Sequence, residues 1–136
     1  MFFPIFCAVR LKDESAHRVR GKGAIMEIMT KKVRNAMVVS VKGRMDAISS
    51  SEVEKELSEL IAGGEKAFVI DFAELDYISS AGLRVILATT KTLKEKEGKL
   101  LLSTLKDIVD DAFRISGFNT IIPIYESVES ALAQVQ

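Results

Sequence analysis

Two adjacent hydroxyls, Ser79 and Ser80, stand directly before Ala81-Gly82 and a long helical pattern. A serine hydroxyl serves as a hydrolytic nucleophile beside a base, as a phosphate acceptor for a kinase, or as a helix cap. The first role lacks its partner here. His17 is the only histidine in 136 residues and falls in the stretch with the weakest structural pattern. Cys7 is the single cysteine, so the chain offers neither an intramolecular disulfide nor a Cys/His metal cluster. With no glycine-rich phosphate loop and no acid–base constellation, the chain reads as a non-enzyme that needs no cofactor or metal.

The elements that must position these serines are legible around them. Ala67-Phe68-Val69-Ile70, ending in Asp71, reads as a buried strand. A second apolar patch follows at Leu75, Tyr77 and Ile78. Leu83, Ile86, Leu87, Thr90 and Leu93 then recur at helical spacing, which predicts one face packed on a sheet. The serines thus sit where a loop hands over to a helix, at free backbone N–H groups and the positive end of a dipole. Arg84, one helical turn after Ser80, is spaced to pair with a phosphate carried there.

Before this centre, Glu27–Val33 and Ala36–Val41 predict a β-hairpin turning at Arg34-Asn35, with Lys42-Gly43-Arg44 ending the second strand. Met45–Ile48 reads as a loop into Ser49-Ser50-Ser51. Any of these three can cap a helix, and Ser51 with Glu54 would form a capping box. Val53, Leu57, Leu60 and Ile61 give that helix its apolar face, and Gly63-Gly64 stops it. After the centre come a strand at Lys99–Ser103 and a helix carrying Ile108, Val109, Ala112, Phe113 and Ile115 up to Gly117. A strand at 121–125 follows, placed at an edge by Pro123, and then a helix capped by Ser127. The order β-β-α-β-α-β-α-β-α predicts a single α/β domain, a mixed sheet of about five strands with about four helices.

Composition fits an ordinary globular domain, 48% hydrophobic and 28% charged. Nineteen basic residues balance nineteen acidic ones, so no electrostatic footprint for nucleic acid appears. Residues 1–25 differ in character. MFFPIFCAV is apolar but too short to span a bilayer, and the stretch after it is basic. The segment holds five basic and two acidic residues, leaving 14 and 17 of each nineteen to the rest. Lys22-Gly23-Ala24-Ile25 before Met26 can be encoded by a purine-rich ribosome-binding signal. Residues 1–25 are therefore read as an extension, disordered or upstream of a true start at Met26, with 26–136 as the domain. A membrane-surface anchor is the rival reading, and stable membrane insertion is not expected.

Three segments together resemble one family. GRMDA after the second strand, VIDFAELDYISSAGLRVIL at the centre and DDAFRISGFNTIIPIYESVESAL at the end look like the anti-sigma factor antagonists, bacterial members of the STAS domain class. The likeness runs from about Met26 to Val135. It implies a STAS-like fold and a cytoplasmic protein that binds an anti-sigma factor with serine kinase activity, releasing a sigma factor. It also implies phosphorylation on the serine two residues before the motif glycine, here Ser80, reversed by a PP2C-type phosphatase. Asp46 falls on the family's acidic loop position near that serine. The partner-binding surface would comprise Asp46, Ala47, Ser79, Ser80, Ala81, Gly82 and Arg84. The chain departs from the pattern at Ser79, where the family commonly has aspartate, which makes Ser79 the alternative acceptor. Arg84 stands where glycine is frequent.

Two other readings share parts of this pattern. A STAS interaction subunit of a lipid-transport or stress-signalling complex would keep the fold and change the partner. A phosphoacceptor receiver domain would use Asp71. It would also need an acidic pair after the first strand and a lysine near the last, where Lys42-Gly43-Arg44 and residues 121–125 supply neither.

Overall fold

Alternation along the first long strand sets the architecture. Met26, Ile28 and Thr30 are buried while Met29 and Lys31 face outward, the period of a half-buried strand. The computed structural model describes residues 17–20, as backbone, and 26–135. In chain order its elements are β1 (His17–Arg20), β2 (Met26–Val33), β3 (Ala36–Met45), α1 (Ala47–Ala62), β4 (Ala67–Asp71) and β5 (Leu75–Ile78). There follow α2 (Ser80–Glu95), β6 (Lys99–Ser103), α3 (Asp107–Ser116), a 3-10 turn (Phe118–Thr120), β7 (Ile124–Tyr125) and α4 (Val128–Ala133).

The sheet runs β1-β2-β3-β4-β6-β7, and β5 continues the lane of β4 along the far half of β3. The β1–β2 and β2–β3 pairs are antiparallel, while β3, β4, β5, β6 and β7 all run parallel. Helices α1, α2 and α3 therefore start at one edge of the molecule, where parallel strands end. The sheet and these three helices enclose the main core, around Val39, Val53, Leu57, Phe68, Ile70, Ile86 and Phe113. The rings of Phe72 and Phe113 stack at 6.3 Å. The opposite face carries a smaller cluster of Val38, Val69 and Leu101 under Ala131 and Leu132 of α4. Burial on both faces explains why Phe68-Val69-Ile70 is an unbroken apolar run. Each such side chain contributes roughly 1.5–3 kcal/mol on leaving water.

The α/β architecture agrees with the expectation, with several corrections. The second hairpin strand does not end at Lys42-Gly43-Arg44; β3 runs on to Met45. Gly43 adopts φ 106° and donates its N–H to the Glu74 carbonyl at 3.0 Å. The register with β5 skips Asp76 there, so the strand continues past a bulge. The apolar patch Leu75-Tyr77-Ile78 is itself a strand, β5, beyond the five expected. Within residues 1–25, His17–Arg20 pair with β2 as an edge strand; the rest of that segment lies outside the described residues.

The 121–125 strand shrinks to Ile124–Tyr125, because the 3-10 turn takes up the approach, and it does occupy the sheet edge. On α2 the buried positions are Gly82, Val85, Ile86, Thr89, Thr90 and Leu93; Leu83 and Leu87 are only partly covered. Helix α1 packs beside α2 and rotates the buried face toward itself. The Thr89 and Thr90 hydroxyls are satisfied by the Val85 and Ile86 carbonyls. On α3, Val109 and Phe113 reach the core, whereas Ile108 and Ile115 stay exposed.

Candidate functional site

The ends of β3 and β5 are tied by one hydrogen bond, from the Ser79 N–H to the Met45 carbonyl at 2.8 Å. The chain turns into a helix one residue later on each side, into α1 after Asp46 and into α2 after Ser79. The two helix starts are thereby side by side at the carboxyl edge of the sheet.

Asp46 caps α1. Its Oδ1 accepts from the Ile48 N–H at 3.1 Å and the Ser49 N–H at 2.8 Å. The Asp46 N–H donates in return to Ser49 Oγ at 2.9 Å, closing a capping box. Ser51 is not the cap, as the sequence had suggested. The helix begins four residues earlier, at Ala47, and Ser51 is an exposed residue within it whose hydroxyl donates to the Ile48 carbonyl at 2.6 Å. The aspartate won because β3 extends further than expected and brings the start forward. The Ser49 N–H and hydroxyl, the Ile48 N–H and the charge of Arg44 hold the Asp46 carboxyl below the usual carboxylate range, against slight desolvation.

The two serines divide their roles. Ser79 has extended backbone, is half-buried, and its Oγ accepts the Gly82 N–H at 3.1 Å as the cap of α2. Ser80 is the first residue of the helix and is exposed, and its hydroxyl bonds no other described residue. Ala81 is half-buried. Gly82 is buried against α1: a β-carbon there would stand 2.7 Å from Ile78 Cγ1 and 3.2 Å from Ser50 Oγ. Arg84 is exposed on α2 and forms no ion pair among the described residues, so its guanidinium is available. Ala47 is exposed beside Asp46. The structure thus gathers Asp46, Ala47, Ser79, Ser80, Ala81 and Gly82 at one edge, with Arg84 one turn further along α2.

Other residues of this edge were not singled out by the sequence. Arg44 lies over the ring of Tyr77, its guanidinium carbon 4.4 Å from the centroid. Asp76, the residue skipped by the β3–β5 register, pairs with Lys106 at 2.6 Å at the start of α3. That bond and the Lys106 charge, with a smaller contribution from Arg44, keep the Asp76 carboxyl below its ordinary range. Ile48 in the first turn of α1 is 59% exposed, a large apolar side chain presented at this edge. The alternating polar and apolar residues of Leu75–Ile78 were the signal for a strand end here, and its four-residue length hid it.

Asp71 is half-buried and its Oδ1 accepts the Ala73 N–H at 3.0 Å, a local turn. No group of three or more His, Cys, Asp or Glu among the described residues is arranged to hold a metal ion. No helix among them is long and apolar enough to cross a membrane.

Comparison with known proteins bears on the family and the fold. The STAS domain family model matches residues 27–131. The chain is 38% identical over 108 residues to BtrV of Bordetella bronchiseptica, named provisionally as an anti-sigma factor antagonist, covering 79% of this chain and 93% of that one. It is 27% identical over 104 residues to the anti-sigma F factor antagonist of Paenibacillus polymyxa, covering 76% and 89%. The crystal structure of an anti-sigma factor antagonist from Mycobacterium paratuberculosis superposes with a TM-score of 0.76 at 24% identity, covering 81% and 93%. Matched along most of its length and sharing their fold, the chain belongs to the STAS domain family, alongside the anti-sigma factor antagonists.

Proposed function

We propose that this protein is an anti-sigma factor antagonist that docks an anti-sigma factor with serine kinase activity through the carboxyl edge of its sheet. The partner transfers a phosphoryl group to Ser80 and a PP2C-type phosphatase removes it, so that the unmodified form binds and frees a sigma factor. The observation that carries this reading is the division of labour between the serines. Ser79 is occupied as the cap of α2, whereas Ser80 presents an exposed hydroxyl with no bond to any other described residue. Similarity to named anti-sigma factor antagonists over more than three quarters of the chain supports the partner class.

Phosphate on Ser80 meets the free N–H groups and positive dipole of a helix start, so the fold tolerates it. The partner surface does not. A dianionic group beside the Asp46 carboxylate changes the charge of the edge, and the nearby Ile48 contact has to be dried for docking. A hundredfold loss of affinity requires only about 2.7 kcal/mol. The test mixes the protein with its cognate kinase-type anti-sigma factor, with and without ATP, then maps the phosphate and measures affinity. Ser80→Ala should bind and resist inactivation, and Ser80→Asp should bind more weakly. Phosphate found on Ser79 alone, or equal binding by all three forms, rejects the reading.

A further inference from the structure

A concavity whose lining does not include Ser80 lies at the ends of β6 and β7, on the carboxyl side of the sheet. It encloses about 540 Å³, within the range of pockets that hold small molecules. Its position is the one that open parallel sheets favour for ligands. After β6 the chain turns into α3 on the main-core face, and after β7 into α4 on the opposite face. Neighbouring strands whose connections diverge leave a crevice outside their carboxyl ends. The crevice wall includes Thr104, a β-branched residue held at φ 61° whose N–H donates to the Tyr125 carbonyl at 3.0 Å. A left-handed conformation at such a residue is strained, and strain of this kind gathers at binding sites.

The charges in the lining select the ligand. Arg114 is fixed by donation from its Nε to Asp110 Oδ2 at 2.7 Å, one turn earlier on α3. Its two Nη groups have no acceptor among the described residues, so a guanidinium fork already oriented is left to a planar anion. Two carboxylates also line the crevice: Asp110, neutralised by that arginine, and Glu126, which has no partner among the described residues. One cation against two anions disfavours a polyanion such as a nucleotide phosphate chain. A ligand with one carboxylate for the Arg114 Nη groups and one ammonium for Glu126 sets an opposite charge against each while adding no net charge to the lining. Leu105 and Ile124 supply apolar wall for a side chain.

We infer that the crevice between the ends of β6 and β7 is a binding site for a small zwitterion of the amino-acid class, its carboxylate on Arg114 and its ammonium on Glu126. The lining includes none of the residues of the proposed docking site, so occupancy of the crevice is measurable whether or not Ser80 is ever phosphorylated. The experiment titrates the full chain with each proteinogenic L-amino acid, following the unfolding temperature and then calorimetry for any that stabilise. The expected result is a concentration-dependent rise for one amino acid or a chemically related few. Arg114→Gln and Glu126→Gln should each weaken that binding about tenfold or more while leaving the urea transition of the free protein cooperative. Two variants on different elements guard against a folding defect in either. Absence of stabilisation by every amino acid overturns the proposal. So does binding that both variants retain unchanged, or that the corresponding amine without a carboxylate matches.

Discussion

The Ser50 hydroxyl in the first turn of α1 lies directly against Gly82 in the first turn of α2, so that a β-carbon on Gly82 would stand 3.2 Å from Ser50 Oγ. The same β-carbon would meet Ile78 Cγ1 at 2.7 Å, and Cγ1 is the inner carbon of a buried β-branched side chain rather than its flexible end. The two helix starts that build the proposed docking edge are therefore only as close as a glycine permits.

Gly82→Ala accordingly sets two effects against each other. Helix propensity favours alanine by about 1 kcal/mol. Overpacking at a buried contact costs roughly 1–3 kcal/mol. The clash should win, and urea unfolding should show a lower midpoint at an unchanged slope. Because the helices must part, kinase-partner affinity should fall further than that of an equally destabilised core variant such as Ile86→Val.

Ser50 is 1% exposed and its Oγ has no hydrogen-bond partner among the described residues. A buried hydroxyl left unpaired is unfavourable by about 1–3 kcal/mol. Ser50→Ala should therefore be neutral to stabilising, by up to about 1 kcal/mol, in the same denaturation assay. Combined with Gly82→Ala it should recover part of the loss, a coupling of about 0.5 kcal/mol or more between touching residues. Strict additivity would show that the two side chains do not share the space described.

The serine pair separates stability from switching. Ser79→Ala removes the cap of α2 and should cost about 1 kcal/mol. Ser80→Ala, at an exposed position whose hydroxyl bonds no other described residue, should lie within about 0.5 kcal/mol of the wild type. Phosphopeptide mapping should place the modification on Ser80. Arg84→Ala should leave the unmodified protein's stability unchanged, yet lower that of the phosphorylated form and speed its dephosphorylation. Unchanged values for both would remove Arg84 from any role at the phosphate.

Acid should weaken the edge in a stated direction. The folded-state pKa values of Asp46 and Asp76 lie below the ordinary carboxylate value of 3.8, so the unfolded chain binds protons first as pH falls. Their contribution is complete above that value and is lost as pH drops through the depressed folded values. Asp46→Asn keeps a capping side chain but removes the charge. Its stability should decline less steeply than wild type between about pH 4 and the folded-state value, as read by denaturant midpoints at successive pH. Parallel slopes would show that the Asp46 charge contributes nothing.

At the opposite end of the sheet, a β-carbon on Gly98 would sit 2.3 Å from the Lys66 carbonyl oxygen. Backbone leaves nowhere to retreat, since the Lys99 N–H already donates to that same oxygen at 2.8 Å and fixes β6 against the start of β4. Gly98→Ala should therefore cost about 3 kcal/mol, more than Gly82→Ala, and should lower the thermal midpoint without altering which serine is modified.

Local chemistry made much of this legible in advance. Lys99–Ser103 is a strand over the range its apolar run marked, Ser127 caps α4, and Gly117 ends α3 in a left-handed conformation. Each depends on a period or a cap written in neighbouring residues. Where the reading failed, a distant partner overrode the local signal. Gly43 looked like a terminator because nothing nearby announced that β5 would pair beyond it. Ile108 and Ile115 share the helical face that periodicity assigned to the core, yet the sheet beneath α3 reaches only Val109 and Phe113.

Sequence alone determined the alternation of strands and helices, and it put Ser79-Ser80 at a helix start, because hydrophobic period and capping are properties of adjacent residues. It could not say which hydroxyl is spoken for. That was decided by the bond from the Ser79 N–H to the Met45 carbonyl, which holds Ser79 as the hinge between two strand ends and leaves Ser80 turned to solvent. Residues 34 positions apart meet only when β3 and β5 lie side by side, and pairing at that range is a property of the folded sheet rather than of any short stretch of chain.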